Sequence, residues 1–336
     1  MNSALTGIRP TGELTVANYV GAMEPMVALQ DTYEGPVNVF VADLHALTDQ
    51  EPDVIARAWP DAVRSYLAAG IDPNRTTVYL QSQIGPQTLE LTSLLERHVT
   101  VAELLRVPTL KEKLRAGQDA SAATAALLRY PVLMAADIVI QDATDVPVGA
   151  DQLPHIELTR RLVDRFNSLY GQGEQILATP SLLAIEGVRI VALNGDAKMS
   201  KSRPAGALFL ADSPAEAAQK IRRAVTAPAG EMAPALESHF LLAERLSTEP
   251  AERFRLAELR RQHMEGLAVM AEFKGLLTEI VAGFLGGFQE RFGSISDAEV
   301  KRVLREGGER ASEQADRVMG RVHQALGLVS TKFLYG

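Results

Sequence analysis

The sequence of 336 residues contains no cysteine, which rules out disulfide bonds, thiolate-bound zinc and a cysteine nucleophile. Its six histidines stand at no spacing typical of metal ligands, so we predict no protein-bound metal. The sequence also has no apolar run long enough to cross a membrane, and its first residues lack the basic start and apolar core of a signal peptide. We therefore expect a cytoplasmic protein without membrane association.

The sequence also has no excess of positive charge. Lysine and arginine number 34 against 42 aspartates and glutamates, a net charge of −8, which argues against a general nucleic-acid coat protein. A local basic face stays open, because arginines recur throughout residues 253–321. Glutamates are interspersed among them, so an exposed, salt-bridged helix surface explains the same pattern.

The first two thirds of the chain alternate strand and helix patterns. β-branched and aromatic residues predict buried strands at residues 37–42, 76–81 and 188–193. Helical patterns cover residues 52–70, 88–114, 122–140, 151–169, 215–225, 251–271, 273–292 and 297–326. Pro60 predicts a kink or a break after Trp59, and the second of these helices is expected to break near Pro108. The order predicts an α/β fold with a parallel sheet, followed by an α-helical domain.

Two segments have the composition of phosphate-binding loops. In Lys198–Ser202 (KMSKS), two lysines alternate with hydroxyls, and lysine contacts phosphate as a flexible point charge. Taken alone, a solvated surface loop is the commoner explanation. In Gly7–Gly21, Thr15 and Asn18 share one face near a helix start, where the helix dipole favours phosphate. A capping threonine and a surface asparagine explain that spacing equally well.

Asp137 is a carboxylate in the apolar stretch Tyr130–Ile140. Pro131 suits the first position of a helix, which would place Tyr130, Met134 and Asp137 on one face. Core packing explains the tyrosine and the methionine, but a buried carboxylate needs a partner to offset its desolvation. That partner is either a ligand N–H group or a neighbouring backbone group.

Three further polar residues are candidates for a site. Asp151 can cap the helix that follows it, whereas Gln152 at the same helix start can reach into a cleft. His45 follows the first predicted strand, although a lone histidine is more often structural than catalytic.

Together these segments resemble the bacterial tryptophanyl-tRNA synthetases, which are class I aminoacyl-tRNA synthetases. Thr15–Asn18 is similar to the family's version of the first class I signature ("HIGH"), and Lys198–Ser202 matches the second signature letter for letter. Residues 130–138 and 146–152 resemble the parts that form the amino-acid pocket. Similarity continues into residues 303–307 and 325–328, so the resemblance covers nearly the whole chain.

The resemblance implies a Rossmann-like catalytic domain at residues 1–213, an α-helical anticodon-recognition domain at residues 214–312, and a C-terminal helix at residues 313–336 that packs back on the catalytic domain. It also implies a homodimer that uses ATP with Mg²⁺. The carboxylate of L-tryptophan would attack the α-phosphate, giving tryptophanyl-adenylate and pyrophosphate. The acyl group would then pass to tRNA(Trp).

The resemblance also assigns residues. Catalysis falls to Thr15, Asn18, Lys198, Ser200 and Lys201. The ATP site comprises Arg9, Pro10, Thr11, Gly12, Thr15, Ala17, Asn18, Gly149, Asp151, Gln152, Ile190, Lys198, Met199, Ser200, Lys201 and Ser202. The tryptophan site comprises Leu5, Gly7, His45, Tyr130, Met134, Asp137, Val146, Val148 and Gln152. Asp137 would accept the indole N–H, while Tyr130 and Gln152 would hold the α-ammonium.

Five residues depart from the family's usual pattern. Arg9 stands in place of glutamine, Ala17 in place of glycine and Ala150 in place of an acidic residue, and Arg203-Pro204 replaces aspartate or serine. These changes fit a divergent or auxiliary copy, for example one tolerant of an inhibitor, or a paralogue with altered tRNA charging.

Three alternatives remain. Tyrosyl-tRNA synthetases share the architecture but usually place glutamine where Met134 stands; an apolar wall with one acceptor suits indole better. A nucleotidyltransferase would use the same phosphate-binding segments but would not need the long helical third. A non-catalytic tryptophan sensor or partner protein is favoured by Ala17, whereas Lys198, Ser200 and Lys201 argue against it.

Overall fold

In the computed structural model the described residues are 2–10, 12–115, 123–149, 152–184, 190–196, 198–201 and 203–328. They contain one parallel sheet of five strands, in the order β3-β2-β1-β4-β5. Its strands are β1 (Ala4–Ile8), β2 (Val37–Val41), β3 (Thr76–Leu80), β4 (Asp145–Val148) and β5 (Ser181–Ala184). The predicted α/β fold with a parallel sheet is confirmed.

The strand order reverses between β1 and β4. β1 pairs with β2 along its whole length and with β4 on its other side. The connections leaving these strands turn to opposite faces, which opens a crevice at their carboxyl ends, where open α/β sheets bind ligands. Residues after Ile8 and after Val148 therefore stand at this crevice.

Helices follow the strands. Those of the sheet domain are α1 (Val16–Asn18), α2 (Glu24–Thr32), α3 (Asp43–Ala46), α4 (Pro52–Ala69), α5 (Gly85–Glu96), α6 (Val101–Leu104), α7 (Pro108–Arg115), α8 (Ala125–Val139) and α9 (Leu153–Tyr170). A π-helical turn, Tyr19–Met23, joins α1 to α2. Short 3₁₀ turns lie at Gln81–Ile84 and Pro204–Gly206.

The last third is helical, as predicted. It contains α10 (Pro214–Arg222), α11 (Pro234–Leu246), α12 (Pro250–Met264), α13 (Met270–Ser294) and α14 (Asp297–Leu326). The sequence patterns matched four of these helices and missed α11, which begins at Pro234. In the parts of the chain that are described, no helix combines the length and the apolar character needed to cross a membrane.

Two prolines differ from expectation. Helix α4 runs unbroken through Pro60, so the predicted break is wrong and the alternative, a kink, stays a prediction. Helix α8 contains Pro131 in its interior, so its expected place at the first helical position is wrong. Both helices bury an apolar face, and tertiary packing of that face offsets the backbone hydrogen bond that a proline removes. Helix α8 begins instead at Ala125, where the side chain of Thr124 caps it.

Some boundaries also differed from the prediction. The helix expected at residues 88–114 with a break near Pro108 is three helices; Pro108 begins the third, which confirms that break, and the earlier division between the first two was not predicted. Of the strand expected at residues 188–193, the described part forms only an isolated bridge between Val191 and Lys198. Strands β1, β4 and β5 were not predicted; the last two are four residues long, and β4 contains Pro147.

The sheet separates two apolar cores because alternate residues of a strand point to opposite faces. In β2, Val37, Val39 and Val41 pack into the core that also includes α10 to α13. Phe40 points to the other face and packs with buried residues of α5, α8 and α9. The cavity described below opens on this second face.

Helix α14 lies directly on the edge strand β3. A Cβ atom on Gly307 would stand 1.9 Å from the carbonyl oxygen of Val78, so only glycine permits this approach. Beside it, Gln83 Nε2 donates to the Leu304 carbonyl at 2.8 Å. The helix passes through residue 312, where a domain boundary was predicted, and its packing on the sheet starts before that residue. The proposed division at 312 stays a prediction.

We predict that Gly307→Ala lowers the free energy of unfolding by about 2 kcal/mol or more, because the new methyl group meets backbone that cannot move aside. Gly320→Ala is the matched control: it lies in the same helix with open space around its Cβ position. Alanine should raise stability there by about 0.5–1 kcal/mol. Urea unfolding of both variants checks this, and equal effects would contradict the close packing.

Candidate active site

The lysine loop (residues 194–203) is anchored by backbone pairing at its base. Met199 N donates to the Ile190 carbonyl at 2.8 Å, and Val191 forms an antiparallel bridge with Lys198. Gly195, with a φ of 80°, provides the left-handed turn between them. The Met199 side chain is buried in the core, whereas Lys198 and Lys201 face outward. The methionine thus anchors the loop, and both lysines lie at its surface.

The chain that leaves this loop pairs with the N-terminal segment. Val16 N donates to the Leu208 carbonyl at 2.8 Å, and Leu210 N donates to the Leu14 carbonyl at 2.9 Å. Thr15 and Phe209 form the antiparallel bridge between these two bonds. The two phosphate-type segments, far apart in the sequence, are therefore neighbours.

Thr15 caps the helix start, which was the structural alternative for this residue. Its backbone N–H and its hydroxyl both donate to Asn18 Oδ1 at 2.9 Å, and Asn18 N donates back to the threonine hydroxyl at 3.3 Å. Asn18 is exposed, while Ala17 beside it is buried in the core. This capping box holds the helix start in a fixed position beside residues 208–210.

Arg9 connects the lysine loop to the end of β1. It forms a salt bridge with Asp49. Partial burial is the main cause that lowers the pKa of Lys201; the positive charge of Arg9 lowers that pKa further, and Asp49 opposes the change. Lys201 is therefore within electrostatic reach of both residues. The crowding of positive charge suits a polyanion, which would relieve the repulsion.

A cavity of about 230 Å³ lies at the crevice between β1 and β4. Eight of the nine residues predicted to bind tryptophan line it, namely Leu5, Gly7, His45, Met134, Asp137, Val146, Val148 and Gln152. Thr6, Arg9, Phe40, Ala42 and Ile138 complete the lining. Its wall is thus mainly apolar, with few polar groups.

Asp137 is the buried carboxyl group of this cavity, with 4% of its surface exposed. Gln81 Nε2 donates to Asp137 Oδ1 at 2.7 Å, and Gln81 Oε1 accepts from His45 N at 2.9 Å. Burial raises the pKa of Asp137 well above its usual range, and the bond from Gln81 opposes this rise. Sequence reasoning missed Gln81, although a glutamine at the end of a buried strand was a signal.

Tyr130, the ninth predicted residue, is not among the residues that line the cavity and packs against one of them, His45. Only 4% of its surface is exposed, and its ring meets that of His45 edge-on at 5.5 Å between centroids. Its hydroxyl lies 2.6 Å from Thr109 Oγ1. Burial raises its pKa, so the phenol keeps its proton near neutral pH.

The remaining predicted residues divide into three groups. Pro10 is buried, Gly149 follows β4, and Ser200 is half-buried in the lysine loop. Ile190 is buried in the core, and Gly12 lines a separate, larger cavity of about 650 Å³ between α4 and α13. Thr11, Asp151 and Ser202 lie outside the described residues, as does Ala150. Within the described ranges, no group of three metal-ligating side chains is present.

Residues 1–285 match the family model described as tRNA synthetases class I (W and Y). The chain belongs to this family, and the doubly wound sheet with paired signature segments is the corresponding architecture. A tryptophan–tRNA ligase of Enterococcus faecalis is 34% identical to it over 335 residues, which cover 98% of either chain.

Solved structures agree with this family. The tryptophanyl-tRNA synthetase of Mycoplasma pneumoniae superimposes with a TM-score of 0.85 at 29% identity, covering 98% of this chain and 99% of that one. The tryptophanyl-tRNA synthetase of Campylobacter jejuni, in complex with ADP and tryptophan, superimposes with a TM-score of 0.81 at 28% identity, covering 97% of this chain and 100% of that one.

We predict that Asp137→Asn stabilises the protein increasingly as the pH rises. The raised pKa of Asp137 in the folded state means that its ionisation is penalised there, so wild-type stability is lost as the pH rises through that pKa. Asparagine carries no charge and avoids this loss. Thermal unfolding from pH 5 to about 9 should show a widening difference, with exposed Asp164→Asn as the control; a difference independent of pH would contradict burial as the cause.

Proposed function

We propose that this chain is a tryptophan–tRNA ligase. It activates L-tryptophan with ATP, releases pyrophosphate, and transfers the tryptophanyl group to tRNA(Trp). The observation that carries the proposal is the buried Asp137 in an apolar cavity at the strand-order reversal, beside a loop that presents Lys198 and Lys201. The Campylobacter jejuni protein, described as a complex with ADP and tryptophan, supports the same pair of ligands here.

Tryptophan binds in the 230 Å³ cavity. Met134 and the valines of β4 contact the indole faces, and Asp137 accepts the indole N–H. Gln81 holds the accepting carboxyl group in place. A site that pairs a substrate N–H discriminates strongly against analogues that lack it, because a buried polar group is then left unpaired. Phenylalanine has no donor to pair with Asp137, so it is rejected.

ATP lies between the helix start at Thr15–Asn18 and the lysine loop. Its triphosphate meets Lys198 and Lys201 on one side and Arg9 on the other, and Mg²⁺ enters with the nucleotide. The tryptophan carboxylate attacks the α-phosphate, and pyrophosphate leaves. Since charge develops on the leaving phosphates, lysines that meet them most closely in the transition state raise the rate of the step.

The helical domain has a place in this scheme. The Ser238 hydroxyl in α11 accepts from Val191 N at 2.8 Å, and Val225 N donates to the Leu193 carbonyl at 2.8 Å. Both bonds fix the base of the lysine loop to the helical region. We assign that region to tRNA anticodon recognition, and the protein acts as a cytoplasmic homodimer.

Exchange of labelled pyrophosphate into ATP tests the substrate. We expect exchange with tryptophan and none with tyrosine or without an amino acid. Exchange with tyrosine alone would indicate the tyrosyl enzyme, and exchange without any amino acid would indicate a nucleotidyltransferase. Silence in all three assays, with tryptophan still bound, would indicate a sensor.

The lysine loop is tested by Lys201→Ala. Loss of one cation from the leaving phosphates should slow adenylate formation more than tenfold, by roughly 1.4 kcal/mol or more of transition-state stabilisation. Single-turnover formation of tryptophanyl-adenylate measures it. Lys301→Ala, an exposed lysine of α14, is the control. An unchanged rate for Lys201→Ala would remove the lysine from the mechanism.

A further inference from the structure

Behind the amino-acid pocket, three side chains from three helices form a hydrogen-bonded row. Thr109 Oγ1 in α7 lies 2.6 Å from the hydroxyl of Tyr130 in α8 and 2.8 Å from Nε2 of His155 in α9. Tyr130 and His155 are almost fully buried, with 4% and 3% of their surfaces exposed. The family resemblance gives Tyr130 a role in holding the substrate ammonium, and the function proposed above leaves Thr109 and His155 without a role.

We propose that Thr109 is a positioning residue for tryptophan binding. It takes the phenolic proton of Tyr130, so that the phenolic oxygen offers its lone pairs to the substrate ammonium. This inference rests on the proposed function and on the role that the family resemblance implies for Tyr130, which is to hold that ammonium. Thr109 itself does not touch the substrate.

The reason is the direction of the hydrogen bonds. An ammonium only donates, so the tyrosine oxygen must accept from it and give its own proton elsewhere. Thr109 can accept that proton and donate its single hydroxyl hydrogen to His155 Nε2. In the reverse order Thr109 would donate to the tyrosine, and the phenolic proton could then turn towards the ammonium and weaken its binding.

Contacts with two neighbouring rings hold the ring of Tyr130 in place. Its ring lies between two histidine rings, at 5.5 Å from His45 and 5.8 Å from His155, measured between centroids. His45 lines the cavity, so the tyrosine ring packs against a residue of the cavity wall. The hydrogen bond with Thr109 adds a constraint on the rotation of the O–H bond.

The test compares two ligands that differ in the ammonium. We expect Thr109→Val to weaken binding of L-tryptophan roughly three- to tenfold, the effect of one hydrogen bond, and to leave indole-3-propionate unchanged. Thr109→Ser keeps the hydroxyl and should restore tryptophan affinity. Thr159→Val is the matched control: this buried threonine of α9 donates to the His155 backbone carbonyl at 2.9 Å, outside the row. Calorimetry measures each Kd.

Equal weakening of both ligands by Thr109→Val, or no weakening of tryptophan, would overturn the inference. Tyr130→Phe separates it from the proposed function. If Tyr130→Phe leaves tryptophan affinity unchanged, the assignment of Tyr130 to the ammonium fails. If that variant weakens tryptophan binding and Thr109→Val does not, only the role of Thr109 fails. In the Tyr130→Phe background, Thr109→Val should have no further effect.

Discussion

The site depends on one short backbone pairing, in which residues 208–210 run antiparallel to residues 14–16. This pairing brings the helix start at Thr15 beside the chain that leaves the lysine loop. Met199, buried in the core, holds the loop from within, and Arg9 with Asp49 meets Lys201 from the end of β1. Without the pairing, the two phosphate-binding halves would belong to separate parts of the surface, and no single nucleotide could reach both.

The second constraint is the reversal of strand order between β1 and β4. It opens the cavity at the place where Asp137 enters from α8, and Gln81 reaches the same carboxyl group from the end of β3. In the proposed function, phosphate chemistry and amino-acid choice are thus supplied by different elements. The paired segments carry positive charge, whereas the crevice carries a mainly apolar wall and the buried Asp137.

Much of this was predictable from the sequence, because the signals are local. The lysine loop, the carboxylate in an apolar helix and the strands β2 and β3 each stand out by composition. The features that could not be predicted depend on contacts between residues distant in the sequence. Nothing near Pro60 or Pro131 indicates the packing that keeps α4 and α8 intact. Strand β4 has only four residues, one of which is Pro147, and its pairing with neighbouring strands stabilises it. Gln81 and Thr109 acquire their roles through partners that are distant in the sequence.

The central claim is that one ligand spans both halves of the site, with its indole at Asp137 and its phosphate towards Lys201. A crystal structure of the protein with a non-hydrolysable tryptophanyl-adenylate analogue tests it most directly. We expect the indole nitrogen within hydrogen-bond distance of the Asp137 carboxyl group and the adenosine between Thr15–Asn18 and the lysine loop. An analogue bound elsewhere, or one whose indole lies away from Asp137, would contradict the account.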